Sequence, residues 1–292
     1  MNKKATYGIV FGAIMAGASG VIIKNIDSLN ATSIAWFRTV VPTVIVLIWM
    51  MVNRIRPFHG NYIKMTIGGL INTLRIYLYL IAFIYTSIGN AVILFYTWPI
   101  LVGVLGFLFL GEKIDKYQSA LLGLTFLGII LAYSDKAFSF ENQDFLGMMA
   151  ALGAAFFNAV TVVLFKSEVK NYRNFEMLFY QNFLGVFIFL PFFIWGFDDA
   201  KIGDMGLGSL YGLMAGIVVF GLFFYGLKYL KAATASTLMY IEVVGAIIYG
   251  YWFFGEVLST NMILGGLLIM TGNFLLIRLN SKKQVENNHK QS

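Results

Sequence analysis

The sequence predicts an all-α integral membrane protein, with ten transmembrane helices arranged as two inverted five-helix repeats around a central cavity. Three observations carry that prediction. Apolar residues are gathered into runs of membrane length, and a helix needs about 20 mostly apolar residues to cross a bilayer core. The basic residues between the runs alternate from one side to the other. A shift of 144 residues, which carries Ala91 onto Ala235, superposes the later runs on the earlier ones.

The composition excludes several classes. Of 292 residues, 59% are hydrophobic and 12% charged, about half the charged share of a soluble domain. No cysteine is present, so disulfides and thiolate metal sites are excluded. The two histidines, His59 and His289, lie in a basic loop and in the tail, which argues against intramembrane metal or haem chemistry. Gly17-Ala18-Ser19-Gly20 resembles the GxSG signature of rhomboid proteases, but no activating base accompanies Ser19. With no Walker-type motif either, neither an enzyme nor a cofactor is expected. A channel is expected to show a filter pattern or pore ring; neither is visible, and the channel stays open as an alternative to a carrier.

The runs follow in order. The first, 7–24, carries Gly8, Gly12 and Ala16 at four-residue spacing with Ser19 next, a close-packing face. It follows MNKK and includes AGAS, which imitates a cleavable leader, but its counterpart in the second half marks it as a retained helix. The second, 33–52, holds Arg38 and Pro42. The third, 63–86, places Asn72, Arg75 and Tyr79 on one face. The fourth, 88–110, contains Tyr96, Trp98 and Pro99 and ends in Gly111-Glu112; the fifth is 117–133. The sixth, 146–166, gathers alanines with Asn158, and the seventh, 175–196, carries Gln181 and Asn182. The eighth is 207–230. The ninth, 233–254, sets Tyr240 and Glu242 before Gly255-Glu256, and the tenth is 260–278. The polar tail, 279–292, reads as disordered.

Charge sets the orientation. One side holds Lys3, Lys4, Arg54, Arg56, Lys64, Lys113, Lys116, Lys166, Lys170, Arg173, Lys228, Lys231, Arg278, Lys282, Lys283 and Lys290; the other holds Lys24, Lys136 and Lys201. The positive-inside rule then places both termini in the cytoplasm of a cell (inner) membrane protein. It also accounts for the net charge of +7 without nucleic acid.

The repeat pairs Leu94 with Leu238, Tyr96 with Tyr240, Gly111-Glu112 with Gly255-Glu256, and Gly128 with Gly272. Gly68/Gly212 and Tyr85/Tyr229 extend it to the third and eighth runs, while the first two match the sixth and seventh only in layout. Five helices is an odd number, so the second copy enters the membrane upside down, a design of secondary transporters. Glu112 and Glu256 read as structural acceptors for the start of the next helix.

Two tandem copies of an apolar helix, FLGE or FFGE, and a further apolar helix, with Pro99 and a later glycine, resemble the EamA-like branch of the drug/metabolite transporter superfamily. The resemblance covers two repeats, 7–134 and 146–278. It implies a ten-helix bundle with a central cavity that transports small metabolites, often exporting amino acids or related compounds. One departure stands out: Val243 occupies the position equivalent to Pro99, which argues against a strictly symmetric kink.

Ionisable residues at mid-bilayer are costly, on the order of 3 kcal/mol on insertion scales, and usually face a cavity or a partner. Arg38, Arg75 and Glu242 are such residues here. With Asn72, Tyr79, Tyr96, Trp98, Asn158, Gln181, Asn182 and Tyr240 they form the expected substrate-binding set. Three readings of Arg75 stay open: a bidentate contact to a substrate carboxylate, a structural pair with Glu242, or snorkelling to backbone carbonyls. In the pair reading the cargo is open to nucleobases, flavins or amines. Glu242 can couple protons if burial raises its affinity for them, stay charged beside an arginine, or receive a positive substrate group. An arginine and a glutamate in one cavity suit a zwitterion. The expected partners are a small-molecule substrate and the bilayer, with the protein a monomer or homodimer.

Overall fold

A computed structural model describes residues 2–86, 88–113, 116–134, 142–197, 200–255 and 257–289. All its regular elements among these residues are helices, because a backbone crossing lipid must satisfy its own hydrogen bonds. Among the described residues, nine helical stretches are long and apolar enough to cross a membrane: Lys3–Lys24, Ala31–Val52, Tyr62–Ala82, Ala91–Leu110, Gln143–Glu168, Asn174–Trp195, Ile202–Tyr229, Ala232–Phe254 and Thr260–Leu279. The shorter apolar helix Lys116–Ala132 stands in the fifth place.

Several crossings are subdivided. The first consists of α1 (Lys3–Gly17) and α2 (Ser19–Lys24); α3 (Ala31–Val52) and α4 (Tyr62–Tyr85) follow. The fourth is α5 (Ile88–Phe95) and α6 (Trp98–Leu110), followed by α7 (Lys116–Ala132), α8 (Asn142–Glu168) and α9 (Asn174–Trp195). The eighth is α10 (Ile202–Leu213), a π-helical turn (Met214–Val219) and α11 (Phe220–Tyr229). The ninth is α12 (Ala232–Leu238) and α13 (Ile241–Phe254), and α14 (Thr260–His289) closes the chain. The last helix, α14, runs on past its apolar stretch to His289. Extending an existing helix avoids the nucleation cost that an isolated polar segment would bear.

The helix break is symmetric, contrary to the expectation drawn from Val243. In the first half, Pro99 has no N–H to bond the carbonyl of Phe95, and the helix is interrupted at Tyr96–Thr97. In the second half the interruption falls at Met239–Tyr240. There a run of tight bonds, Met239 N to Ser236 O, Tyr240 N to Thr237 O, Glu242 N to Met239 O and Val243 N to Tyr240 O, overwinds the turn without a proline. Gly111 and Gly255 end the two helices in the same left-handed conformation, φ 64° and 62°.

The helix contacts obey a pseudo-twofold relation. α4 packs on α8 as α11 packs on α1, and α4 on α9 as α10 on α3. Two contacts join a helix to its own counterpart, α3 with α9 and α7 with α14, and the contact of α6 with α12 joins the fourth crossing to the ninth. A contact between equivalents can only occur at the symmetry axis. The α7–α14 contact shows it closely. A Cβ on Gly128 would meet Gly265 O and Ile269, and one on Gly272 would meet Thr125 and Leu121 O, the corresponding set.

At the basic end, Glu112 accepts hydrogen bonds from Ala232 N, at 2.8 Å to Oε2. It is an N-terminal acceptor as expected, but for α12 in the opposite half rather than for the helix that follows it. Lys166 donates to the carbonyls of Leu227 and Leu230 beside it, and Lys231 to that of Lys113. Burial pushes the Glu112 carboxyl above its ordinary range, opposed by Lys166 and the Ala232 amide. Removing such an acceptor costs about 1 kcal/mol, so Glu112→Ala is expected to lower Tm by about 2–4 °C, read by thermal unfolding in detergent. Glu256 lies outside the described residues.

Candidate functional site

Arg38 and Asn182 lie 144 residues apart, on α3 and α9, and are bonded: Arg38 Nη1 donates to Asn182 Oδ1 at 2.9 Å. They are therefore equivalents of each other, meeting at the pseudo-twofold axis. The axis passes a second such pair, Tyr240 and Tyr96, where the Tyr240 hydroxyl donates to the Tyr96 carbonyl at 3.0 Å. That carbonyl is accessible because the helix is broken there. The sequence comparison matched the second and seventh runs only in layout; the structure shows that the same register holds between them.

Arg38 is 4% exposed. Its guanidinium lies over the Phe220 ring, 5.0 Å from the centroid, and its Nη2 is buried without a hydrogen-bond partner. The π turn brings Gly216 against it: a Cβ there would stand 2.7 Å from Pro42 Cγ and 3.2 Å from Arg38 Nη1. Glycine at 216 leaves the volume that the guanidinium needs.

Arg75, 9% exposed, is held from the same helix as Arg38. Its Nε donates to Asn72 Oδ1 at 3.2 Å, one turn away on α4. Asn72 Nδ2 donates in turn to the Gln181 carbonyl at 2.9 Å, and the neighbouring Asn182 anchors its own amide on Leu178 O. Adjacent residues of α9 thus tether both arginines. The Gln181 side-chain oxygen is buried and unpaired.

The remaining lining is acidic and aromatic. Glu242, at the start of α13, faces the side chain of Tyr96 within hydrogen-bonding reach. Tyr79 packs on Phe95 with centroids 4.5 Å apart. Arg75 lies within electrostatic reach of Arg38, Tyr211, Tyr79 and Glu242, so the polar faces of α3, α4, α9 and α13 converge. The Arg75–Glu242 relation is longer than an ion pair. Ion pairs are found elsewhere, Lys64–Glu168 and Lys166–Glu112 among them, and His59 Nε2 lies 3.0 Å from Glu176 Oε1.

Two expected members stand apart from this network. Trp98 is buried in the apolar core against Phe223. Asn158 is buried on α8, and the bonded network does not include it. Tyr211 and Phe220 were missed, although both face Arg38. The available signal was the four-residue spacing of Gly208, Gly212 and Gly216, which seats that helix against Phe37, Val41 and Pro42. Among the described residues no group of three or more His, Asp or Glu side chains is placed to hold a metal.

Comparison with known proteins agrees with this architecture. The EamA-like transporter family model matches twice, over residues 3–134 and 145–278. An uncharacterized transporter of Archaeoglobus fulgidus is 28% identical over 267 residues, which is 90% of this chain and 93% of that one. The pseudopaline exporter of Pseudomonas aeruginosa is 23% identical, over 92% of this chain and 94% of that protein. Mouse solute carrier family 35 member G1 is 24% identical over 89% of this chain and 74% of its own. A crystal structure 14% identical in sequence shares the fold with a TM-score of 0.79, over 96% of this chain and all of that one. With both halves matched, this multi-pass membrane protein belongs to the EamA-like transporter family.

Proposed function

We propose that the chain is a secondary carrier that exports small, polar, carboxylate-bearing metabolites, amino acids or their close relatives, by alternating access. The observation that carries this reading is the pair of buried arginines, Arg38 held at the pseudo-twofold axis by Asn182 and Arg75 held beside it by Asn72. A site on that axis is shared by the two halves, so rocking one against the other exposes it to either side in turn. A guanidinium positioned by Asn72 keeps the Nη1–Nη2 edge of its planar fork for a carboxylate. The separation of Arg75 from Glu242 favours substrate between them over a structural pair. Sixteen basic residues at the end that holds the chain termini support an inner-membrane protein with both termini in the cytoplasm.

Purified protein screened by thermal stability against amino acids, organic anions, amines, nucleobases and flavins tests the substrate class. A ligand at a hundredfold excess over its Kd stabilises the folded state by about 2.7 kcal/mol. Stabilisation by zwitterions or carboxylates, followed by saturable flux and counterflow in proteoliposomes, is the expected result. Stabilisation by amines or nucleobases alone would reject it.

Proton coupling is assigned to Glu242, a carboxylate beside a tyrosine on the wall facing Arg75. Glu242→Gln is expected to abolish accumulation driven by a pH gradient, while downhill exchange persists at weaker substrate affinity. Unchanged gradient-driven accumulation would exclude Glu242 as the proton carrier.

A further inference from the structure

We infer that the substrate carries two anionic groups and one cationic group, an amino dicarboxylate in chemical class rather than a neutral amino acid. This rests on the carboxylate-carrier reading above and narrows it.

The first ground is charge. Among the described residues, the charged side chains within electrostatic reach of Arg75 are Arg38 and Glu242, beside the neutral hydroxyls of Tyr79 and Tyr211. Two cations against one carboxylate leave an excess of positive charge in a site walled by helices, where water screens little. Protonating Glu242 only enlarges the excess. A neutral zwitterion adds no net charge and leaves one arginine uncompensated. A second carboxylate removes the excess.

The second ground is unused bonding capacity. Asn182 takes one N–H group of Arg38, the Tyr211 hydroxyl stands within hydrogen-bonding reach of the guanidinium, and the buried Nη2 makes no hydrogen bond. Asn72 takes only Nε of Arg75. Both tethers are neutral amides, so they orient the guanidinium groups without neutralising them. A carboxylate placed within the site near α9 would give Arg38 Nη2 its missing acceptor. The third ground is polarity across the site. Glu242 stands with Tyr96 on the wall away from the two tethers, so the cationic group of the substrate has one place to go. Charge thus sets both composition and orientation: two anionic ends toward α3 and α4, the ammonium toward α13.

The test is equilibrium binding to the full chain in lipid nanodiscs at neutral pH, comparing glutamate and its longer 2-amino dicarboxylate homologues with glutamine, glutarate and inorganic phosphate. The expected result is that an amino dicarboxylate binds about tenfold or more tightly than the monoamide, the diacid without an amine, or phosphate. Arg38→Gln should weaken amino dicarboxylate binding far more than glutamine binding, bringing the two within about threefold of each other. Should that variant fold poorly, Arg38→Lys serves instead: it keeps the charge, so the preference should persist at weaker overall affinity. Glutamine or glutarate binding as tightly as every amino dicarboxylate overturns the inference and leaves the carboxylate-carrier reading intact. A preference for phosphate replaces the substrate class. Binding of none of the carboxylates, with amines or nucleobases bound instead, overturns the carrier reading itself.

Discussion

Arg75→Lys is expected to lower transport by about tenfold or more, and Arg75→Ala by about a hundredfold, with the protein still folded. The magnitudes follow from what each variant removes. Lysine keeps a positive charge but has no Nε to hold Asn72 Oδ1 and no planar fork to meet a carboxylate. Alanine removes the charge as well, and losing one partner of a buried charged contact costs about 2–5 kcal/mol. The loss falls on binding, because Asn72 still anchors on Gln181 O and the helix contact survives. Initial rates in proteoliposomes against substrate concentration, beside a thermal unfolding curve, separate the two contributions. Parental KM and rate in Arg75→Lys would remove Arg75 from the site.

Gly69→Val is expected to lower Tm by about 5–10 °C and to abolish binding with it. Gly69 lies one turn before Asn72 on α4, where that helix meets α9. A Cβ there would stand 2.0 Å from the Tyr180 carbonyl oxygen. Neither atom belongs to a flexible side chain, so the helices themselves must part. Overpacking a well-packed contact costs about 1–3 kcal/mol, a few degrees each for a chain of this size, and this clash is backbone against side-chain stem. The displaced pair is the one that joins Asn72 to Gln181 at 2.9 Å, so Arg75 loses its orientation in the same step. Gly123→Ala is the matched control, since nothing lies within 4 Å of a Cβ at Gly123. A Tm within about 1 °C for both variants would show that the α4–α9 contact is not the close approach described.

The crossings, their order and their packing faces were legible in the sequence because lipid permits few solutions. A segment of about 20 apolar residues must be a helix, and a polar or ionisable residue at its middle is placed to face inward. Arg38, Arg75, Asn72, Gln181 and Asn182 were identifiable on that ground, and they converge. What could not be read was who bonds whom. The break at Met239–Tyr240 has no proline to announce it, because overwinding is a property of backbone bonds that many side chains allow. Glu112 was recognisable as an acceptor at a helix start, but which helix depended on how the halves meet.

The sequence by itself determined that this chain crosses the membrane as helices, repeats after 144 residues, and carries two arginines and a glutamate in its spans. Only the tertiary structure decided that Arg38 meets Asn182, its own equivalent, and that one pair of α9 residues tethers both arginines while Glu242 faces them from another wall. The reason is physical. Periodicity and hydropathy act along one helix, whereas a symmetry axis exists only between helices, and residues 144 apart learn that they are neighbours when the two halves pack.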